Sequence, residues 1–201
     1  MEFIEEIEES ANNLFKPIEE EFGEQNYLSK DMVKALGEYG FYKRHIPERY
    51  GGSSKNEFGS ATELCIIREE LARLCPLAES HYSVTGLGSY PILLAGTEEQ
   101  KMKYLPKMTT GEYVFAFTLT EPTAGSDAVN LKTTARLEKD EWVLNGEKTF
   151  ISNAGDADVY VVFARTSEAP GSKGISAFIV EADTPGFDLV EKLDMTAPHS
   201  I

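Results

Sequence analysis

From residue 2 to about residue 108 the apolar positions of the chain recur at helical spacing. Phe3, Ile4, Ile7, Ala11, Leu14, Phe15 and Ile18 fall at three- and four-residue steps with glutamates between them, the pattern of a helix with one buried stripe. Ser29 is placed to cap a second helix that runs through Tyr39 and stops at Gly40. Residues 44–56, RHIPERYGGSSKN, carry Pro47, Gly51 and Gly52 and predict a loop. Two more apolar helical stretches, 57–75 and 77–95, meet at Pro76, which disfavours helix in the residue before it. Thr97-Glu98-Glu99-Gln100 fits a capping box, with Gln100 able to reach back to the Thr97 amide. The short helix that follows should close near Pro106.

After Gly111 the period falls to two and Val, Ile, Phe, Tyr and Thr take over. Six stretches have this character: YVFAFTLT, TTARLE, EWVLNGEKTFI, DVYVVFART, GISAFIVEA and FDLVEKL, which spans residues 187–193. Lys139-Asp140 and Asn145-Gly146 sit where tight turns would join neighbours, and Asn-Gly is the stronger signal because both central positions of such a turn favour positive φ. The expected fold is therefore α+β: a helical domain over 1–111, then a small β domain over 112–201, built as a barrel or sandwich. The sequence contains no internal repeat and no low-complexity tract.

Composition narrows the functional classes. With 19 Lys plus Arg against 34 Asp plus Glu, the net charge is -15, the wrong sign for non-specific binding to nucleic acid or to an anionic membrane. The first ten residues, MEFIEEIEES, are acidic where a secretory leader is basic and then apolar, and no apolar run approaches membrane-spanning length. A cytoplasmic location is the default expectation. Cys65 and Cys75 fall on one helical stretch, where about 1.5 Å of rise per residue sets them about 15 Å apart, too far for a disulfide. The three histidines stand alone, without ligand spacing, so no metal site is expected.

Two stretches carry candidate chemistry. In TEPTAGSD, residues 120–127, the small residues Ala124, Gly125 and Ser126 let main-chain amides approach a ligand, and successive amides in a tight turn can cradle an anion such as a pyrophosphate. A long loop shaped by Pro122, Gly125 and Asp127 fits the same residues. In KTFISNAGDAD, residues 148–158, alternation would put Phe150 and Ser152 on one strand face, where a planar cofactor could use both. On the residues alone, a core Phe followed by an outward Ser that ends a strand is the plainer reading of that stretch.

Residues 96–127, GTEEQKMKYLPKMTTGEYVFAFTLTEPTAGSD, followed by 142–166, WVLNGEKTFISNAGDADVYVVFART, resemble the acyl-CoA dehydrogenases, and the similarity extends back to REELARL at 68–74 and forward to about Val190. The resemblance implies a helical N-terminal domain, a β-barrel middle domain and a C-terminal four-helix domain, of which this chain would hold the first two. It implies FAD as cofactor and α,β-dehydrogenation of an acyl-CoA, or acyl carrier protein, thioester. Electrons would pass to an electron-transfer flavoprotein or similar acceptor. Phe117, Leu119 and Thr120 match the segment that faces the flavin, with Thr120 at its pyrimidine edge. Gly125 lies in the binding loop, and Ser126 matches the serine near the FAD pyrophosphate and the bound acyl-CoA. Phe150 takes the place of an aromatic residue that lies against the flavin; Ile151 follows it, and Ser152 stands at a hydroxyl position near flavin N5.

The family's catalytic Glu belongs to the C-terminal domain, so no catalytic residue is assigned here, and Glu121 belongs to the binding loop instead. The implied chain is one piece of an enzyme that binds FAD weakly and turns over poorly alone. It is completed by a homo-oligomer or by a partner carrying the helical domain. A flavin-dependent oxidase or monooxygenase of the same fold, or a non-catalytic subunit, stands as the alternative. Thr118 occupies a position where the family commonly has Ala or Cys. The tail EKLDMTAPHSI lacks the family's usual Lys-x-Gly-x-Arg-x-Ser turn, so Thr196, Ala197, Pro198 and His199 either reshape the thioester loop or form a variable connection.

Overall fold

The computed structural model describes residues 2–23, 25 and 27–193; the expectations for Thr196, Ala197, Pro198 and His199 lie outside them. The first amphipathic stretch is one rod in three parts: α1 (Glu2–Ser10), a π-helical turn (Ala11–Phe15) and α2 (Lys16–Phe22). Ile7, Ala11 and Phe15 form its fully buried stripe. In α3 (Lys30–Glu38) Ser29 accepts a hydrogen bond from the Met32 amide at 3.2 Å. Residues 44–56 hold short 3-10 turns, bends and one isolated bridge between Pro47 and Ser54. α4 (Ala61–Leu74) ends before Cys75 and α5 (Pro76–Ala95) begins on Pro76, where its missing N–H costs nothing.

The capping box opens α6 (Glu98–Thr109): the Gln100 amide donates to Thr97 Oγ1 at 3.2 Å and the Thr97 amide to Gln100 Oε1 at 2.9 Å. This helix does not close at Pro106 but runs one turn further. The carbonyl that loses its donor belongs to Met102, on the solvent face, so water can take the place of the missing bond. Cys65 is exposed and Cys75 buried, both as free thiols, and burial pushes the Cys75 thiol up to about 12. No helix among the described residues is long and apolar enough to cross a membrane.

Five strands follow: β1 (Phe115–Thr118), β2 (Thr134–Glu138), β3 (Glu141–Asn145), β4 (Val159–Arg165) and β5 (Ile175–Glu181). β4 is central. It pairs along its whole length with antiparallel β5. Its other edge carries parallel β1, with Phe115 opposite Val159 and Thr118 opposite Val162, and then β2 through Thr134 opposite Arg165. β2 and β3 form a hairpin with Glu138 opposite Glu141, turned at Lys139-Asp140 with Lys139 at φ 58°. Val159 to Val162 are all buried, as expected for a strand covered on both faces.

The sheet is open, not the closed barrel expected. The stretch 187–193 forms no strand; it is tethered by its side chains instead. Phe187 packs on Tyr160 with ring centroids 4.5 Å apart, and Lys192 pairs with Asp156 at 3.0 Å. Asn145-Gly146 makes no hairpin, because β3 ends there and no strand follows until Val159. Gly146 answers to close packing: a Cβ there would lie 2.7 Å from Thr133 Cα. One apolar core runs through helices and sheet, from Phe15, Phe41, Tyr82 and Leu71 to Phe115, Ala116 and Tyr160. Each such aliphatic or aromatic side chain contributes about 1.5–3 kcal/mol.

Candidate functional site

β1 carries Phe117 to the surface of this core and releases the chain at Leu119 and Thr120. The second motif returns beside it. The Thr149 amide donates to the Thr120 carbonyl at 3.0 Å and Asn153 Nδ2 to the Phe115 carbonyl at 3.0 Å, so 149–153 runs antiparallel to 115–120. Residues from the two motifs, 30 apart in sequence, thereby share one surface. Between these anchors lie Phe150, Ile151 and Ser152.

The strand alternation expected for Phe150 and Ser152 does not hold. Phe150 has φ 54° and Asn153 φ 65°, so the segment bends twice through the left-handed region and cannot continue as a strand. Non-glycine residues adopt that region at a cost of about 1–3 kcal/mol, and such residues cluster at functional sites. Phe150 is 75% exposed while Ile151 and Ser152 are half-buried. Phe117 and Leu119 are also half-buried, the Phe117 ring lying 5.0 Å from that of Phe163. Phe117, Leu119, Phe150 and Ile151 thus leave apolar side chains partly or largely open to solvent, with the half-buried Thr120 and Ser152 next to them in the chain. The Thr118 hydroxyl and Asn153 Oδ1 are buried without a partner, polar capacity that the chain itself does not use.

Glu121 is the most constrained residue here. It is 5% exposed and accepts from the Lys132 amide at 2.6 Å, the Thr133 amide at 2.9 Å, the Thr133 hydroxyl at 2.5 Å and Lys148 Nζ at 2.9 Å. Burial alone would raise its pKa, but the Thr133, Lys132 and Lys148 donors together outweigh it and hold the carboxyl at about 2. Burial lowers the pKa of Lys148, partly offset by Glu121. A carboxylate held so low, with every donor in place, is a poor proton acceptor near neutral pH.

Glu121 and Ala124 exchange two backbone hydrogen bonds, at 3.0 and 3.1 Å, around Pro122 and Thr123. This closes a turn, after which Gly125, Ser126 and Asp127 are exposed and their amides donate to no backbone carbonyl among the described residues. A Cβ at Gly125 would meet nothing within 4 Å, so the chain's own packing does not demand glycine there. Three successive free amides suit an anion. The 121–124 turn leads the chain from Thr120 to Gly125 and Ser126. Lys148, Thr133 and Asn153, which hold the arrangement together, carry no sequence signal of their own: Lys148 reads as one more surface lysine, and only the folded chain reveals its burial.

Comparison with known proteins gives this arrangement a context. Residues 1–112 match the family described as Acyl-CoA dehydrogenase, N-terminal domain, and residues 116–200 match Acyl-CoA dehydrogenase, middle domain. The chain is 43% identical over 162 residues to an acyl-CoA dehydrogenase of Bacillus subtilis (strain 168), an alignment covering 80% of this chain and 42% of that protein. It superposes on butyryl-CoA dehydrogenase from Megasphaera elsdenii with a TM-score of 0.85 at 36% identity, covering 96% of this chain and 51% of the other. An acyl-CoA dehydrogenase from Bacillus anthracis, solved in complex with FAD, gives a TM-score of 0.73 at 36% identity and covers 92% and 31% respectively. The chain spans about half the length, or less, of these relatives. With both successive domains matched across nearly all of its residues, the chain belongs to the acyl-CoA dehydrogenase family.

Proposed function

We propose that this chain supplies the N-terminal helical domain, residues 1–111, and the flavin-facing middle region, from residue 112 onward, of an FAD-dependent acyl-CoA dehydrogenase. The observation that carries the reading is the antiparallel joining of 115–120 with 149–153, which leaves Phe150 exposed between two anchors. Phe117, Leu119, Phe150 and Ile151 offer apolar surface to the isoalloxazine ring, Thr120 and Ser152 offer hydrogen bonds to its polar edge, and the free amides of Gly125 and Ser126 bind the pyrophosphate. Bound FAD supplies a two-electron acceptor, which side chains lack. Ser126 also contacts the thioester ligand, an acyl-CoA or acyl carrier protein conjugate.

The resemblance to the family assigns the α-proton acceptor to a further helical domain, and Glu121, committed to its four donors, is not a candidate for that role. A second subunit or further chain completes the site, and an electron-transfer flavoprotein takes the electrons. The test is an FAD titration of the purified chain alongside Thr120→Val and Ser126→Ala. Each variant removes one or two hydrogen bonds worth about 1–3 kcal/mol, so each should weaken FAD binding with circular dichroism unchanged. Equal affinity in all three proteins would remove both residues from the cofactor site.

A further inference from the structure

Among the ion pairs of the described residues, Lys148–Glu121 is the one with both side chains out of solvent, 9% and 4% exposed. Burying two charges costs several kcal/mol per ion before their attraction is counted, so their placement matters. Lys148 Nζ donates to two acceptors, Glu121 Oε1 and the Leu119 carbonyl, both at 2.9 Å. Leu119 immediately precedes Thr120, and Lys148 immediately precedes Thr149, whose amide donates to the Thr120 carbonyl. One ammonium thus bridges the two motif segments at the end opposite the Asn153–Phe115 anchor, and Glu121 ties that bridge to the Lys132–Thr133 backbone.

We propose that Lys148 is a positioning residue: through the Leu119 carbonyl and Glu121 it holds 149–152 in register against 119–120 and so sets how Thr120 and Phe150 are presented to FAD. This rests on the function proposed above. A pair that only stabilised the loop would need no contact to Leu119; the bond to its carbonyl is what joins 148–149 to 119–120. Held at both ends, the intervening backbone keeps Phe150 in its left-handed conformation; released at one end, it is free to relax.

The test compares wild type, Lys148→Met and Glu121→Gln/Lys148→Met by residue-resolved amide exchange without cofactor, by melting temperature and by FAD affinity. In Lys148→Met the Thr149 amide should exchange about tenfold faster or more while the Leu93 amide in α5 is unchanged, and FAD binding should weaken by about tenfold or more. The double variant leaves no unpaired carboxylate and should recover melting temperature, yet recover neither Thr149 protection nor FAD affinity. Wild-type Thr149 exchange in Lys148→Met, or FAD affinity that follows melting temperature across the series, would overturn the proposal. Lys148→Gln, which keeps one donor for Leu119, is the milder variant and should fall between wild type and Lys148→Met; if it is as impaired as Lys148→Met in both readouts, the contact to Leu119 is excluded as the source of the register. Failure of wild type to bind FAD, with Thr149 still accelerated in the variants, would overturn the functional reading and with it the role toward FAD, while leaving the register clamp intact.

Discussion

Gly88 lies where α5 meets β1, the contact that sets the height of the segment proposed to face the flavin on the helical layer. A Cβ at this position would sit 2.7 Å from both the carbonyl carbon and Cβ of Phe115 and 2.9 Å from the Ala116 amide nitrogen. Comfortable carbon contacts begin near ~3.5 Å, so helix and strand would have to separate by roughly three-quarters of an ångström. Neither neighbour is a flexible side-chain end, and Phe115 and Ala116 are fully buried. Gly88→Ala gains about 1 kcal/mol in helix propensity but overpacks the contact at a cost of about 1–3 kcal/mol. With rigid backbone opposing it, the upper part of that range applies, for a net loss of about 1–2 kcal/mol. For a chain of this size that corresponds to a fall in melting temperature of about 2–8 °C, read by calorimetry or far-ultraviolet circular dichroism. β1 should shift with it, carrying Phe117 and Thr120, so FAD affinity should drop as well. An unchanged or raised melting temperature would refute the claim that this contact is closed to a methyl group.

Gly125→Ala should behave in the opposite manner, leaving stability within about 0.5 kcal/mol of wild type while weakening FAD binding; a loss of stability would show that the loop is packed by its own chain. His45 and His81 are fully buried and their pKa values fall to about 4, His45 through burial alone and His81 through burial partly offset by its bond to the Leu77 carbonyl. Because each binds its proton more readily when unfolded, stability should be full above pH 6.5 and decline as pH falls towards 4, by about 3 kcal/mol per histidine. Neither ring nitrogen of His45 has a partner, so His45→Phe should roughly halve that slope, and denaturant titrations showing an unchanged slope would count against it. Glu121 adds stability that is present above about pH 4.5 and lost as pH falls through about 2. Glu121→Gln should therefore cost about 3 kcal/mol at pH 7 and approach wild type near pH 2; a gap independent of pH would contradict the charged clamp. Thr97→Ala should cost about 1 kcal/mol by removing half of the capping box, and no change in urea midpoint would show the cap to be dispensable.

The helices were legible because their signals are local. Ser29, Pro76 and the Thr97–Gln100 box act within four residues of themselves, and the structure uses each as expected. The sheet was legible strand by strand but not in its closure. FDLVEKL has the alternation of a strand, yet pairing needs an unoccupied edge at the right place, and periodicity does not encode that. Asn145-Gly146 misled for a related reason: glycine is needed there for the approach of Thr133, not for a turn. At the candidate site, Phe117, Thr120 and Phe150 are proposed through resemblance, whereas the left-handed conformation of Phe150 and the burial of Lys148 are invisible in the sequence, since both arise from two segments distant in sequence being clamped together.

The central claim is that 117–120, 125–126 and 150–152 form one flavin-binding surface. Amide hydrogen exchange of the 201-residue chain, measured with and without saturating FAD, tests it most directly. Bound FAD should slow exchange at Thr120, Gly125, Ser126 and Phe150 to Ser152, with α1 to α4 unchanged. FAD that binds but protects other segments, or leaves these amides at their free rates, would contradict it.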